Sequence, residues 1–245
     1  RFQISERGKR REIKSIKYQD RVVQRCLNDE IISPKIVPKF IKSNTASQPG
    51  KGQEEAMRIL KEDLQREARK NGVKGYILVC DMSKYFDSIP HALLDDLYDK
   101  FFEDKEIVDF VRYIHATIPG GVGCPLGNHL SQIDALLALN ELDHIIKEQY
   151  HIKGYGRYMD DFYLISHDKE ELKKILAFIK EYVTKKGLKL NEKKTHIVPI
   201  RQGVTFIGFR FYVTEKGKVV ILLAKKSINH HKQKMRKMKK LLDDG

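Results

Sequence analysis

No apolar run in this 245-residue chain approaches the ~20 residues a membrane-spanning helix needs, and no signal-peptide pattern opens it. Neither a membrane span nor a cleaved leader is therefore expected. Cysteine is scarce: Cys26, Cys80 and Cys124 are far apart and odd in number. They make neither a zinc spacing nor a disulfide framework, which suits a reducing cytosol and a cytoplasmic location. Acid is short relative to base, with 33 Asp and Glu against 47 Lys and Arg, a formal charge of +14 and a pI of about 9.5. Such an excess predicts attraction to a polyanion, nucleic acid above all, with an anionic membrane surface as the rival. Against these shortages stand a 41% hydrophobic content, enough for a core, and a 33% charged content for a solvated surface. The length admits one large domain or two small ones. The chain opens on Arg1 rather than Met and stops in a basic helix, as a fragment of a longer protein would.

Residues 1–17 carry seven basic side chains (Arg1, Arg7, Lys9, Arg10, Arg11, Lys14, Lys17) against Glu6 and Glu12, around Gly8. A basic β-hairpin turning near Gly8 is expected. Tyr18 to Ile32 reads as a helix with Val22, Val23, Cys26, Leu27 and Ile31 at helical spacing, ended by Pro34 and Pro38. Ser43 to Gly52, rich in Ser, Asn, Gly and Lys, is a loop leading into a helix from Gln53 to about Lys70. There Ala56, Leu60 and Leu64 share a face, and Glu54–Arg58 and Glu62–Arg66 are placed to pair. Tyr76 to Cys80 is a continuous apolar run, too short for a helix, which predicts a buried central strand delivering Asp81. Helices follow over His91 to Phe102 and around Ile107 to Ile114. Pro119 to Gly127, with four glycines and two prolines, is an irregular loop opening a long helix from about Leu130 to Tyr150.

Tyr158-Met159-Asp160-Asp161 comes next, with Phe162 to Ile165 behind it: strand-like residues around a two-carboxylate tip. A helix from about Lys169 to Lys186 ends at Gly187, and Leu188 to Pro199 is extended. Phe206 to Val213 and Val219 to Leu223 form another hairpin over Glu215-Lys216-Gly217. Lys225 to Lys240 carries eight basic residues and no acid, with Ile228, Met235, Met238 and Leu242 on one stripe. It reads as a basic amphipathic helix, better suited to lie beside a nucleic-acid backbone than to act as a calmodulin target or a membrane-surface helix.

Adjacent aspartates at a turn repel each other, and hard oxygen ligands invite a divalent cation. With Asp81 they make three carboxylates, the clamp that two divalent metals ~4 Å apart need to activate a 3′-hydroxyl and stabilise a leaving pyrophosphate. Mg²⁺, two ions, is the expected cofactor, with Mn²⁺ as a substitute.

The chain resembles reverse transcriptases along nearly its whole length, through five motifs in order. Asp81-Met82-Ser83-Lys84-Tyr85-Phe86-Asp87-Ser88-Ile89-Pro90 is similar to the first catalytic motif. Gly123-Cys124-Pro125-Leu126-Gly127-Asn128 with Ser131-Gln132 is similar to the template and nucleotide-pocket motif. Tyr158 to Asp161 matches the family's signature box. Gly187-Leu188 through Asn191-Glu192-Lys193-Lys194-Thr195 resembles the motif with a lysine near pyrophosphate, and Phe206-Ile207-Gly208-Phe209 resembles the primer grip.

The resemblance implies an α+β right-hand polymerase: basic fingers over residues 1–75 with part of 91–120, an antiparallel-sheet palm over 76–213, and the palm end and start of a helical thumb over 214–245. Asp81, Asp160 and Asp161 would be metal ligands, Asp161 being the one most often left out of direct coordination. Phe86 would pack under the sugar and reject a 2′-hydroxyl, the group that tells RNA from DNA. Lys9 and Arg11 would cover the incoming nucleotide, Leu126 and Gly127 would border its pocket, and Phe206 and Gly208 would hold the primer. Lys194, or its neighbour Lys193, would neutralise or protonate pyrophosphate. The implied partners are an RNA template, a DNA or RNA primer and deoxynucleoside triphosphates, with an accessory protein or a dedicated structured RNA in addition, and no membrane.

Leu126 stands where retroviral, retron and group II intron enzymes usually place glutamine. Pro-Leu-Gly-Asn followed by Ser-Gln is most similar to enzymes of diversity-generating retroelements, where an aliphatic residue accompanies misincorporation opposite template adenine. An error-prone enzyme is therefore expected. The alternatives are a retron, group II intron-like or antiviral-defence reverse transcriptase and, in another class, a non-catalytic RNA-binding scaffold. No segment similar to RNase H, an integrase or an endonuclease is evident, nor is the retron thumb signature.

Overall fold

The computed structural model describes residues 2–6, 9–13, 16–125 and 127–243. Strands β1 (Phe2–Glu6) and β2 (Lys9–Ile13) pair antiparallel, Glu6 facing Lys9 and Phe2 facing Ile13. The expected turn near Gly8 lies outside the described residues.

Helix α1 (Tyr18–Cys26) runs on through a widened π-helical stretch, Leu27–Ile32, into α2 (Ser33–Ile36). Pro34 does not end the helix. It follows directly on the widened turn, whose last bond runs from Ser33 N–H to Asn28 O and carries the helix past it. The inward face also differs from expectation: Gln24 and Leu27 are buried, while Val22, Val23 and Ile31 are exposed. The loop after Phe40 lies along the strand that holds Arg157, through a parallel bridge between Asn44 and Arg157.

Helix α3 (Gln53–Asn71) buries Ala56, Leu60 and Leu64 and stops at Gly72, whose φ of 71° suits glycine. Its ion pairs are not the expected ones. Arg58 bridges Glu55 and Glu62, each at 2.6 Å, and Arg66 takes Asp63 at 2.8 Å. Arg58 thus reaches one acid on each side of its own turn.

Strand β3 (Tyr76–Asp81) is followed by a short α4 (Tyr85–Ser88), then α5 (His91–Phe101) and α6 (Lys105–Ala116). The expected long helix after the glycine-rich loop is divided. α7 (Leu130–Leu137) stops before Leu139, whose ψ of 5° leaves the helical region, and α8 (Asn140–His144) then passes into a π-helical turn, Ile145–Gln149. Strands β4 (Gly154–Tyr158) and β5 (Asp161–Ser166) form the acidic hairpin, and α9 (Lys169–Lys185) follows. Only the end of the expected extended stretch is a strand, β6 (His196–Pro199), because residues 192–194 form a turn. β7 (Val204–Phe206), β8 (Phe209–Val213) and β9 (Val219–Leu223) make a second sheet, and α10 (Lys225–Asp243) closes the described chain.

The central sheet has the order β4-β5-β3-β6 and every pairing is antiparallel. Both of its faces are covered. Leu78, Cys80, Phe162 and Leu164 pack into a large helical core containing α5 to α9, while Ile77, Val79, Tyr163 and Ile165 pack against α3 and the second sheet. Burial on both faces is why β3 reads as an unbroken apolar run rather than an alternation. Gly154 and Gly156 make the hairpin possible at this density. A Cβ at Gly156 would lie 2.7 Å from the Tyr163 hydroxyl and 2.8 Å from its ring.

Candidate active site

The β3–β5 register places Asp81 directly opposite Asp161, so two carboxylates eighty residues apart in sequence share the end of the sheet. β4 and β5 are joined by only two residues, Met159 and Asp160, because Tyr158 already pairs with Asp161. Met159 takes the left-handed backbone region at φ 61°, and the Asp160 carbonyl accepts the Met82 N–H at 3.2 Å. Asp160 is thereby pinned to the residue after Asp81.

A second strand-like segment closes the other side. Leu190 bridges Met82, Ser83 N–H donates to Lys189 O at 2.7 Å, and Asn191 N–H donates to Asp81 O at 2.7 Å. The Asn191 side-chain amide donates to Asp81 Oδ1 at 3.0 Å. The chain then turns on the Asn191 carbonyl, which accepts from Lys194 and Thr195. That turn swings Lys194 Nζ back onto Asp81 Oδ2. Of the two lysines considered, Lys194 makes this contact.

Crowded carboxylates change one another. Burial, the charge of Asp160 and contact with Asp81 raise the Asp161 carboxyl well above the ordinary carboxylate range, against a smaller opposing pull from Lys194. Partial burial would lower the Lys194 ammonium, but Asp81, with Asp161 and Asp160 beyond it, outweighs burial and raises it. The cluster therefore carries more negative charge than one ammonium compensates.

Among the described residues no three His, Cys, Asp or Glu side chains form a ready metal cage. A Mg²⁺ site does not require one, since that ion binds one or two carboxylates and completes its shell with water and substrate phosphates. The donor set is hard oxygen, the raised Asp161 carboxyl marks a crowding of carboxylates that a cation would relieve, and a cationic group already rests on Asp81. The residues fit a divalent cation.

The other expected site residues lie on neighbouring elements. Phe86 is half-buried on α4 against the helical core. Its carbonyl accepts the Cys124 N–H at 2.6 Å, and Gly123 N–H donates to Ile89 O at 2.8 Å, so the glycine-rich loop is laced to α4. Gly127 is exposed at φ 109°, while Leu126 lies outside the described residues. Lys9 and Arg11 stand two apart on β2, opposite Glu6 and Ile4. Phe206 is buried edge-on to Tyr163 at 5.3 Å. Gly208, at φ 90°, gives its carbonyl to Ala224 N–H at 3.1 Å and to Ser227 Oγ at 3.2 Å, tying the β7–β8 tip to the start of α10.

Sequence patterns missed the polar framework behind the hairpin. Arg157, Asp143 and Tyr155 are buried together, and Asp134 is buried with Tyr98 and His115. The one available signal was an arginine inside an otherwise small and aromatic strand, since a buried charge demands a partner.

The sequence model of the family described as reverse transcriptase (RNA-dependent DNA polymerase) matches residues 5–211. Among solved structures, telomerase from Candida albicans in complex with a telomeric RNA fragment superposes with a TM-score of 0.61 at 14% identity, covering 84% of this chain and 38% of its own. Apo telomerase from Candida tropicalis gives 0.59 at 17%, covering 87% and 42%. The RNA-dependent RNA polymerase of a human picobirnavirus, as an insertion-loop deletion mutant, gives 0.55 at 13%, covering 89% and 44%. The chain thus spans about two fifths of the length of these structures, and the likeness is one of fold, the right-hand polymerase fold. Among curated proteins no relative matches.

Proposed function

The chain belongs to the reverse transcriptase (RNA-dependent DNA polymerase) family, and from that membership we propose that it extends a primer 3′-end with deoxynucleoside triphosphates on an RNA template. The observation that carries the proposal is the β3–β5 register, which sets Asp81 against Asp161 with Asp160 on the adjoining turn and Lys194 over Asp81.

Asp81 and Asp160 would hold the divalent cations, with Asp161 completing the charge of the site. Bound there, Mg²⁺ supplies Lewis-acid stabilisation of the attacking and leaving oxygens. The rest falls to the chain itself. Lys194, displaced from Asp81, keeps its ammonium beside the carboxylates to neutralise or protonate pyrophosphate at Nζ. Phe86 excludes a 2′-hydroxyl, Lys9 and Arg11 cover the incoming nucleotide, Gly127 allows close backbone approach, and Gly208, at the tip that the buried Phe206 anchors, steadies the primer. Fingers over residues 1–75, palm over 76–213 and the beginning of a thumb beyond would hold duplex mainly through phosphates, with binding that weakens as salt rises. Leu126 offers no hydrogen bond near the nascent pair, which favours low fidelity of the diversity-generating kind.

Primer extension on an adenine-containing RNA template with Mg²⁺, followed by sequencing, tests both levels. Frequent errors opposite adenine that decline in Leu126→Gln are expected. Accurate product, or errors unchanged by Leu126→Gln, would discard the low-fidelity reading while keeping the polymerase.

A further inference from the structure

The acidic turn is held by a side chain outside the set of carboxylates. Arg157 on β4 is fully buried, and so is Asp143 on α8. The guanidinium uses three nitrogens in three directions. Nε donates to both Asp143 oxygens at 2.8 and 2.9 Å. Nη2 donates to Asp143 Oδ2 at 2.6 Å and to Leu136 O, near the end of α7, at 2.8 Å. Nη1 donates to Met159 O at 3.0 Å. Tyr155 adds its hydroxyl to Asp143 Oδ1 at 2.6 Å. The Arg157 backbone is fixed too, its N–H on Ser43 O and its carbonyl under Thr45 N–H, both at 3.0 Å.

Met159 is the residue whose carbonyl Arg157 grips, and it is the residue at φ 61° in the two-residue turn before Asp160 and Asp161. A side chain with a Cβ does not rest in the left-handed region without restraint. A fully buried guanidinium must place all its N–H groups on acceptors, and here one of them is placed on the carbonyl of the turn residue held at positive φ. We infer that Arg157 is a positioning residue: through the Met159 carbonyl it sets the turn that aims the Asp160 and Asp161 carboxylates, with Asp143 and Tyr155 holding the guanidinium for that task.

The inference rests on the proposed metal site, so its test separates the two. Arg157→Met with Asp143→Leu removes both buried charges together and leaves neither unpaired. Arg157→Lys keeps the charge but loses the fork that reaches Met159 O. Thermal melting, direct Mn²⁺ titration by electron paramagnetic resonance, and primer extension across Mg²⁺ concentrations are measured on wild type and both variants. Folded variants are expected to bind Mn²⁺ about tenfold more weakly, to need correspondingly more Mg²⁺ for half-maximal extension, and to bind template–primer as wild type does. General destabilisation would instead lower the active fraction and leave the metal dependence in place. Should the double variant fail to fold, Arg157→Lys alone decides. Wild-type Mn²⁺ affinity and Mg²⁺ dependence in a folded variant overturn the role of Arg157. A wild-type protein that binds no Mn²⁺ overturns the metal site and this inference with it.

Discussion

Asn191→Ala removes one hydrogen bond, from the side-chain amide to Asp81 Oδ1 at 3.0 Å, and leaves the backbone bond from Asn191 N–H to Asp81 O at 2.7 Å intact. The segment therefore stays docked while the carboxylate loses one side-chain holder and keeps Lys194 and the contact with Asp161. Asp81 is 5% exposed, so water replaces the lost donor poorly. A hydrogen bond to a charged group contributes about 1.5–3 kcal/mol. Spent entirely on carboxylate orientation, that loss corresponds to roughly 10- to 150-fold in metal affinity, in line with the ~10–100-fold typical of residues that orient metal ligands. Spent on folding instead, it would lower the melting temperature by roughly 2–4 °C per kcal/mol for a chain of this size. Primer extension over a Mg²⁺ titration, with melting curves alongside, separates the two. The expectation is a half-saturating Mg²⁺ raised at least about tenfold with a modest drop in melting temperature. Extension with unchanged Mg²⁺ dependence would refute the role given to Asn191.

Gly156→Ala drives a Cβ to 2.7 Å from the Tyr163 hydroxyl and should cost about 1–3 kcal/mol as overpacking, read as a lower denaturant midpoint; an unchanged midpoint would contradict the packing described. Phe86→Val is expected to raise ribonucleotide incorporation relative to deoxyribonucleotide at least about tenfold, ~1.4 kcal/mol of lost discrimination, measured by competitive single-nucleotide addition. His115 is pushed down by burial but raised further by Asp134 and Asp95, each at 3.3 Å, so its folded value lies above the ordinary one. His91 stacks on the ring at 5.4 Å and Tyr98 meets it edge-on at 6.0 Å. A raised imidazole stabilises the fold fully below about pH 6.5 and loses that contribution as pH rises through the folded value. Melting temperature should therefore fall as pH rises above about 6.5, and His115→Gln should flatten that slope. A melting temperature that climbs over the same range would refute the assignment.

What could be read from sequence follows physical range. Tyr76 to Asp81 and Tyr158 to Ser166 were legible because burial on both faces, or a turn between apolar runs, leaves a local pattern. The Ser43–Gly52 loop and the end of α3 at Gly72 were legible because glycine and small polar residues act within a few positions. The β3–β5 register was not, since it joins residues eighty apart. Nor were the holders Asn191 and Arg157, whose partners are Asp81, Asp143 and the Met159 carbonyl: a polar side chain looks alike in sequence whether it meets water or a buried acid. Helix continuity failed where the backbone departs from ideal spacing. Pro34 follows a widened turn that carries the helix past it, the π-helical turn at Leu27–Ile32 rotates the helix face and leaves Ile31 exposed, and the bend at Leu139 divides α7 from α8 at the end of the apolar run Ala135 to Leu139.

The most direct measurement is single-nucleotide addition to a labelled primer annealed to an RNA template, with Mg²⁺ and each deoxynucleoside triphosphate in turn, for wild type and Asp160→Ala. Template-directed addition by wild type, and its loss in an Asp160→Ala protein that still folds and binds template–primer, is the predicted result. Addition that survives Asp160→Ala, or none from a folded wild type with metal and primer verified, would contradict a polymerase built on Asp81, Asp160 and Asp161.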